Sequence, residues 1–347
     1  MDKTYIIAEM AYSHDGSVEL ANQIVRNAAD AGADAISIHI THMPTYMVKH
    51  YRTGKGRVSA GKEIKPLYQY LVEISPSFED WKKVVKEARK VGLDLIIMPN
   101  DLPSLEFSKE FSPEAYVLSA ACFEEYDFIR VVGRCKRPVY LRVGGAMLGE
   151  IEKVIHLLRD EGNEKITLLY GYQNYPTGIE DSNLKFLSVL KQAFQLPVGL
   201  ADHLDADDDF ATIVPLLAMV LDISCIEKHM THDRSKKGED FESALDKDEF
   251  KLMVERVRKA EKALKDVLLF ELTEASSAYR QNIRKRVVAA KKIKAGEVIT
   301  RDKIICKRSD EGVFPSNIDV VCGMVAKRNI EADEGIDLAM FQKNGDK

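Results

Sequence analysis

His203 and His229 each end a short apolar run, in Pro-Val-Gly-Leu-Ala-Asp-His-Leu (197–204) and Ile-Glu-Lys-His-Met-Thr-His (226–232). As neighbouring strands these runs would lie ~4.8 Å apart. Two imidazoles pointing the same way could then share one ion at ~2.0–2.2 Å. Two nitrogens, completed by water and a substrate oxygen, suit Mn²⁺ first, with Fe²⁺ or Zn²⁺ as alternatives. The same spacing fits two histidines that only hydrogen-bond to their surroundings. Glu9 is a carboxylate in the apolar stretch Tyr-Ile-Ile-Ala-Glu-Met-Ala (5–11). Burial of a lone carboxylate is costly, so it needs a partner. It reads as an acid/base or water-holding group, or as one half of an ion pair with an arginine such as Arg142. Asp240, in Lys-Lys-Gly-Glu-Asp-Phe-Glu, reads as an acid that folds over a site or as part of a solvated loop.

Elements must position these groups. Eight short apolar runs recur: 5–8, 35–40, 94–98, 115–118, 138–141, 166–170, 197–200 and 223–227. They read as strands buried on both faces. Amphipathic helical patterns fill the gaps at 17–31, 77–91, 124–133, 148–161, 183–194, 208–221 and 247–268, and Gly32 and Gly92 stand where glycine closes a helix. Eight alternations predict a (β/α)₈ TIM barrel. An open doubly wound sheet is the weaker alternative, since no GxGxxG follows any strand. The acidic run 205–209 reads as charge at a helix N-terminus. After a basic stretch at 279–286, short strand-like pieces and turns such as Lys294-Ala295-Gly296-Glu297 predict a small β-rich domain. The expected boundaries are a barrel over 1–272, a linker over 273–286 and the second domain over 287–347.

A barrel places its chemistry at the C-terminal strand ends. That rim then gathers Glu9, His39 or His42, Asn100, Cys122, Arg142, Gln173, Tyr175, His203 and His229. Which of His39 and His42 faces inward depends on the register of the second strand. Cys122 has no catalytic signature around it and reads as a core thiol.

The 347 residues carry a net charge of −5, so no basic surplus favours nucleic acid. Five cysteines without a CxxC spacing read as reduced thiols of a cytoplasmic protein. The opening MDKTYIIAEM does not read as a signal peptide, and no apolar run reaches the ~18 residues of a membrane span.

The same residues carry a family resemblance over nearly the whole chain. IAEMAYSHDG, AGADAISIHI, GYQNYPTGIEDSNL, PVGLADHL and IEKHMTHDRSKKGEDFESAL resemble the sialic acid synthase (N-acetylneuraminate synthase-like) family. RKRVVAAKKIKAGEVITRDKIICKR resembles the antifreeze-like (SAF) domain that closes such synthases. The resemblance implies a divalent metal and condensation of phosphoenolpyruvate with the open-chain aldehyde of an amino sugar. The products would be a nonulosonic acid and phosphate. By position, His203 and His229 match the metal ligands, and Glu9 matches the glutamate that binds substrate and water. Asp240 matches the acid on the sugar hydroxyls, and Tyr175 a tyrosine of the sugar pocket. Arg308 matches the arginine offered to the partner subunit's site in a domain-swapped homodimer.

Departures cluster on the phosphate side. The family's Val-Lys-Phe-Gln is Ile36-Ser37-Ile38-His39 here, and its Tyr-Lys-Ile is Tyr116-Val117-Leu118. Both phosphate- and carboxylate-binding lysines are therefore missing. Leu-Ser-Thr-Gly has become Leu141-Arg142-Val143-Gly144. Arg142 could supply one bidentate anion clamp, with His39 as a further donor. Three readings follow: a divergent synthase using phosphoenolpyruvate, a metal-assisted aldolase or lyase with a less charged three-carbon partner, and a non-catalytic sugar-binding homologue.

Overall fold

The computed structural model describes residues 3–50, 66–171, 176–264 and 271–343. The chain divides into two compact units, Met1–Lys265 and Asp266–Lys347. In the first, eight parallel strands close in sequence order: β1 (Tyr5–Glu9), β2 (Ala35–Ile40), β3 (Asp94–Pro99), β4 (Ala115–Leu118), β5 (Val139–Arg142), β6 (Ile166–Tyr170), β7 (Val198–Asp202) and β8 (Cys225–His229). Helices accompany the strands: α1 (Val18–Ala31), α2 (Met43–Tyr46), α3 (Leu67–Ile74), α4 (Phe78–Val91), α5 (Leu102–Ser108), α6 (Tyr126–Arg134), α7 (Leu148–Asp160), α8 (Phe186–Phe194), α9 (Val214–Met219) and α10 (Lys247–Ala263). This is the (β/α)₈ barrel expected from the alternation.

The period-2 rule sorts each strand into two faces. Ile6, Ala8, Ile36, Ile38, Leu95 and Ile97 pack outward under the helices. Ile7, Ala35, Ile96, Val117, Leu169 and Cys225 fill the lumen as a separate cluster. Local chemistry sets the helix ends. Ser17 caps α1 by accepting from Leu20 N, and Gly32 closes it at φ 88°. Ser77 and Gly92 do the same for α4.

Several elements differ from the sequence expectation. β1, β5, β7 and β8 run one to two residues further, so Glu9, Arg142 and His229 belong to the ladder itself. The helix expected over 208–221 shrinks to α9. Asp205 and Asp208 accept from the backbone N–H two residues on, at 2.9 and 2.8 Å, so the acidic run forms turns instead of starting a helix. Pro215 then sits in the first turn of α9, where its missing N–H costs nothing. Short helices α2, α3 and α5 were not expected. The last barrel helix ends at Ala263.

The second unit pairs β9 (Lys285–Ala289) with β10 (Ile304–Arg308) and β11 (Val325–Ala326) with β12 (Phe341–Gln342), all antiparallel. Two helices accompany them, α11 (Glu274–Ile283) and α12 (Ile318–Val321). Val287, Ile293, Ile299, Val321, Ile336 and Phe341 form its core. The stretch expected as linker thus contains α11 and the first two residues of β9. Glu297 N bonds Lys294 O with Gly296 at φ 85°, the turn expected there. Among the described residues no helix is long and apolar enough to cross a membrane.

The lumen leaves no room at Gly199, where a Cβ would sit 2.3 Å from Cys225 Sγ and 3.0 Å from its carbonyl oxygen. Overpacking of this kind costs ~1–3 kcal/mol. Gly199→Ala should lower the thermal midpoint by several degrees in a circular-dichroism melt. An unchanged midpoint would show the lumen to be softer than its packing implies.

Candidate active site

At the C-terminal end of the lumen, three strands are joined by one guanidinium. Arg142 Nη2 donates to Glu9 Oε2 at 2.6 Å and lies 2.8 Å from Glu227 Oε1. All three side chains are buried. Glu9 Oε1 also accepts from Ala11 N at 2.8 Å and lies 3.1 Å from His39 Nε2. Burial alone would raise the Glu9 pKa, but His39 and Arg142 together hold it well below the usual carboxylate range. Burial pushes Glu227 up to about 7, and Arg142 only partly offsets this. One cation thus faces two carboxylates, of which Glu9 carries the charge and Glu227 gives it up more readily.

His229 pairs in register with Glu9 across β1 and β8. His203 follows the last residue of β7, and its carbonyl accepts from Thr177 N at 2.9 Å. The two imidazoles meet edge to face, with ring centroids 4.9 Å apart. Burial pushes His229 down to about 3. Burial, then His229, Arg142 and Lys228, hold His203 well below its ordinary value. Both rings are therefore neutral at physiological pH, the form in which imidazole binds metals. Among the described residues, no group of three or more His, Cys, Asp or Glu side chains is arranged to hold a metal ion.

On the opposite face of the same strands, Lys228 Nζ lies 3.1 Å from Asp202 Oδ2 and donates to Leu204 O at 3.2 Å. Both side chains are buried. This pair clamps the ends of β7 and β8 one residue from each imidazole.

The rim carries the remaining candidates. His39 faces the lumen, whereas His42 caps α2 and its Nδ1 lies 2.9 Å from Thr45 Oγ1; the register is thereby decided. Asn100 Nδ2 donates to Thr41 Oγ1 at 2.7 Å and lines a cavity of about 800 Å³ over β2–β4. Tyr46, Leu102 and Phe128 give that cavity an apolar wall beside Asp101, Glu125 and Asp127. None of Glu9, Arg142, His203 and His229 lines it. Cys122 is buried and its thiol is pushed up to about 12, as a core thiol should be. Asp240 sits on the loop after β8, and burial, then Glu239, Glu242 and Glu9, push it up to about 8. Gln173 and Tyr175 lie outside the described residues. Arg308 belongs to the second unit, on β10, where it donates to Asn282 O at 2.9 Å.

The structure thus brings Glu9, His39, Arg142, His203 and His229 together. Arg142, expected to clamp an anion, lies in this cluster, with Nη2 shared by the Glu9 and Glu227 carboxylates. Sequence reasoning passed over Glu227, although it lies two residues before His229 on one strand and hence on the same face. It also missed the partnership of Lys228 with Asp202, because both lie on the outward faces of their strands.

Comparison with known proteins agrees with this architecture. The NeuB family profile matches residues 24–268, and the SAF domain profile matches residues 284–342. The chain is 32% identical over 341 residues to a pseudaminic acid synthase of Campylobacter jejuni, covering 98% of this chain and 97% of that protein. It is 27% identical to an N,N'-diacetyllegionaminic acid synthase of the same species, covering 96% and 99%. Among solved structures, an N-acetylneuraminic acid (sialic acid) synthetase of Leptospira borgpetersenii, in complex with citrate, aligns with TM-score 0.69 at 24% identity, covering 81% of this chain and 93% of that one. The spore coat polysaccharide biosynthesis protein SpsE of Bacillus subtilis aligns with TM-score 0.63 at 25% identity, covering 99% and 96%.

Removing one partner of a buried ion pair strands the other charge, at ~3–5 kcal/mol. Lys228→Met should lose about that much stability in a urea titration, and Lys228→Met with Asp202→Asn should recover most of it. Equal stability of the single variant and the parent would remove the clamp from this account.

Proposed function

This chain belongs to the NeuB family and ends in a SAF domain, and we propose that it is a metal-dependent sugar-acid synthase. In this reading it condenses phosphoenolpyruvate with the open-chain aldehyde of an amino sugar and consumes one water, giving a nonulosonic acid and phosphate. The carrying observation is the pair of neutral, buried imidazoles at 4.9 Å beside the charged Glu9. They fit two positions of one divalent cation, Mn²⁺ first and Fe²⁺ or Zn²⁺ next, and water and substrate oxygens would take the rest. Such an ion, when bound, polarises the aldehyde as a Lewis acid. Glu9 holds water or a substrate hydroxyl through the carboxylate that His39 and Arg142 keep ionised. Asp240 hydrogen-bonds to the sugar hydroxyls, and Asn100, Gln173 and Tyr175 are further substrate-binding groups. Arg308 serves the site of the partner subunit in a domain-swapped homodimer. The cytoplasmic setting rests on the five free cysteines.

A second reading has its own support. Ser37 and Val117 stand where the family carries lysines, and Arg142 is committed to Glu9 and Glu227. A nearly trianionic co-substrate would lose two charge-assisted contacts worth ~1.5–3 kcal/mol each. This favours aldol or lyase chemistry with a less charged three-carbon carbonyl partner.

One assay separates the readings: phosphate release from phosphoenolpyruvate with Mn²⁺ and a panel of amino-sugar aldehydes. Release with any sugar is expected from the first reading. Product from pyruvate without phosphate release would select the second, and sugar binding without turnover would leave a non-catalytic homologue. His229→Ala should abolish turnover and lower the bound metal measured by elemental analysis; full metal content in that variant would overturn the ligand assignment.

A further inference from the structure

We propose that Tyr70, on α3, is a positioning residue that braces the Asp240 loop over the barrel mouth by holding Glu239. The proposal rests on the reading of Asp240 as the acid that meets the sugar. Tyr70 is 4% exposed, and its hydroxyl donates to Glu239 Oε2 at 2.6 Å, the length of a charge-assisted bond. Burial and the Glu239 carboxylate keep that hydroxyl protonated, so it remains a donor at any working pH.

Glu239 is held on two further sides. Its N–H donates to Asp15 Oδ1 at 3.3 Å, and its carbonyl accepts from Ser13 Oγ at 3.2 Å. Backbone contact on this side is close. A Cβ at Gly238 would sit 2.5 Å from Asp15 Oδ2, and one at Gly16 would sit 2.9 Å from Glu73 O beside the end of α3. Further along the loop, Glu242 O accepts from Ala206 N at 2.7 Å and Leu245 N donates to His229 O at 2.9 Å. Asp240 thus lies between anchors on the β1, β7 and β8 loops. Its φ of 61° lies in the left-handed region, which aspartate adopts more readily than most residues. Glu239 and Glu242 both disfavour negative charge on Asp240. A donor that draws the Glu239 carboxylate toward α3 relieves this and leaves Asp240 facing the mouth. Through this bond α3 would set how firmly the sugar is held.

The test uses the full-length chain. Tyr70→Phe keeps the ring that packs with Ile74, Tyr12 and Leu71 and deletes only the donor. Amide hydrogen exchange over 238–243 should accelerate about tenfold or more. The thermal midpoint should barely move, and KM for the sugar aldehyde should rise about tenfold with kcat within about twofold. Glu239→Gln keeps the shape with a weaker acceptor and should move exchange less in the same direction; it decides alone if Tyr70→Phe fails to fold. Unchanged exchange in the folded variants overturns the brace. Faster exchange with an unmoved KM overturns its hold on the sugar. The exchange arm needs no substrate, so it judges the brace even if no aldehyde is turned over and the synthase reading fails.

Discussion

The guanidinium of Arg142 is the constraint on which the barrel mouth depends. Two buried carboxylates from β1 and β8 converge at the end of the lumen, and one cation from β5 lies against both. Carboxylates so placed without a cation would protonate or pull in water. With Arg142 present, Glu9 stays ionised where it faces His39 and His229. The arrangement has a chemical consequence. A guanidinium committed to two internal partners is a poor clamp for a polyanion, and Ser37 and Val117 add no charge nearby.

The imidazole pair depends on a second buried ion pair on the other side of the same strands. β-strand alternation places Asp202 and Lys228 outward and their neighbours His203 and His229 inward. Locking the outer pair therefore fixes the inner one. Neither pair need add much net stability, because desolvation offsets most of a buried Coulombic gain. Their effect is on geometry: they hold two neutral rings at a separation that thermal motion of a loose strand end would blur.

The rim is held differently. Asp240 sits on a loop, and residues on either side of it are hydrogen-bonded to other loops. Rigid strands present Glu9, His203 and His229, while a strapped loop presents Asp240.

The barrel was legible in the sequence because its signals are local. Apolar runs of four to six residues, amphipathic gaps and the helix-closing Gly32 and Gly92 each act within a few residues. The two histidines and Glu9 were legible for the same reason, since strand ends in a closed barrel share one rim. The helix over 208–221 failed because aspartate side chains compete for the same backbone donors that a helix needs. Arg142 with Glu227, Asp202 with Lys228 and Tyr70 with Glu239 were not legible, although each residue is plain to see. Tyr70 and Glu239 lie 169 positions apart. Sequence alone placed Glu9, Arg142, His203 and His229 at the mouth; barrel closure and loop packing decided which partner each one takes. Partner choice among buried charges is a matter of distances between chain segments that no local pattern encodes.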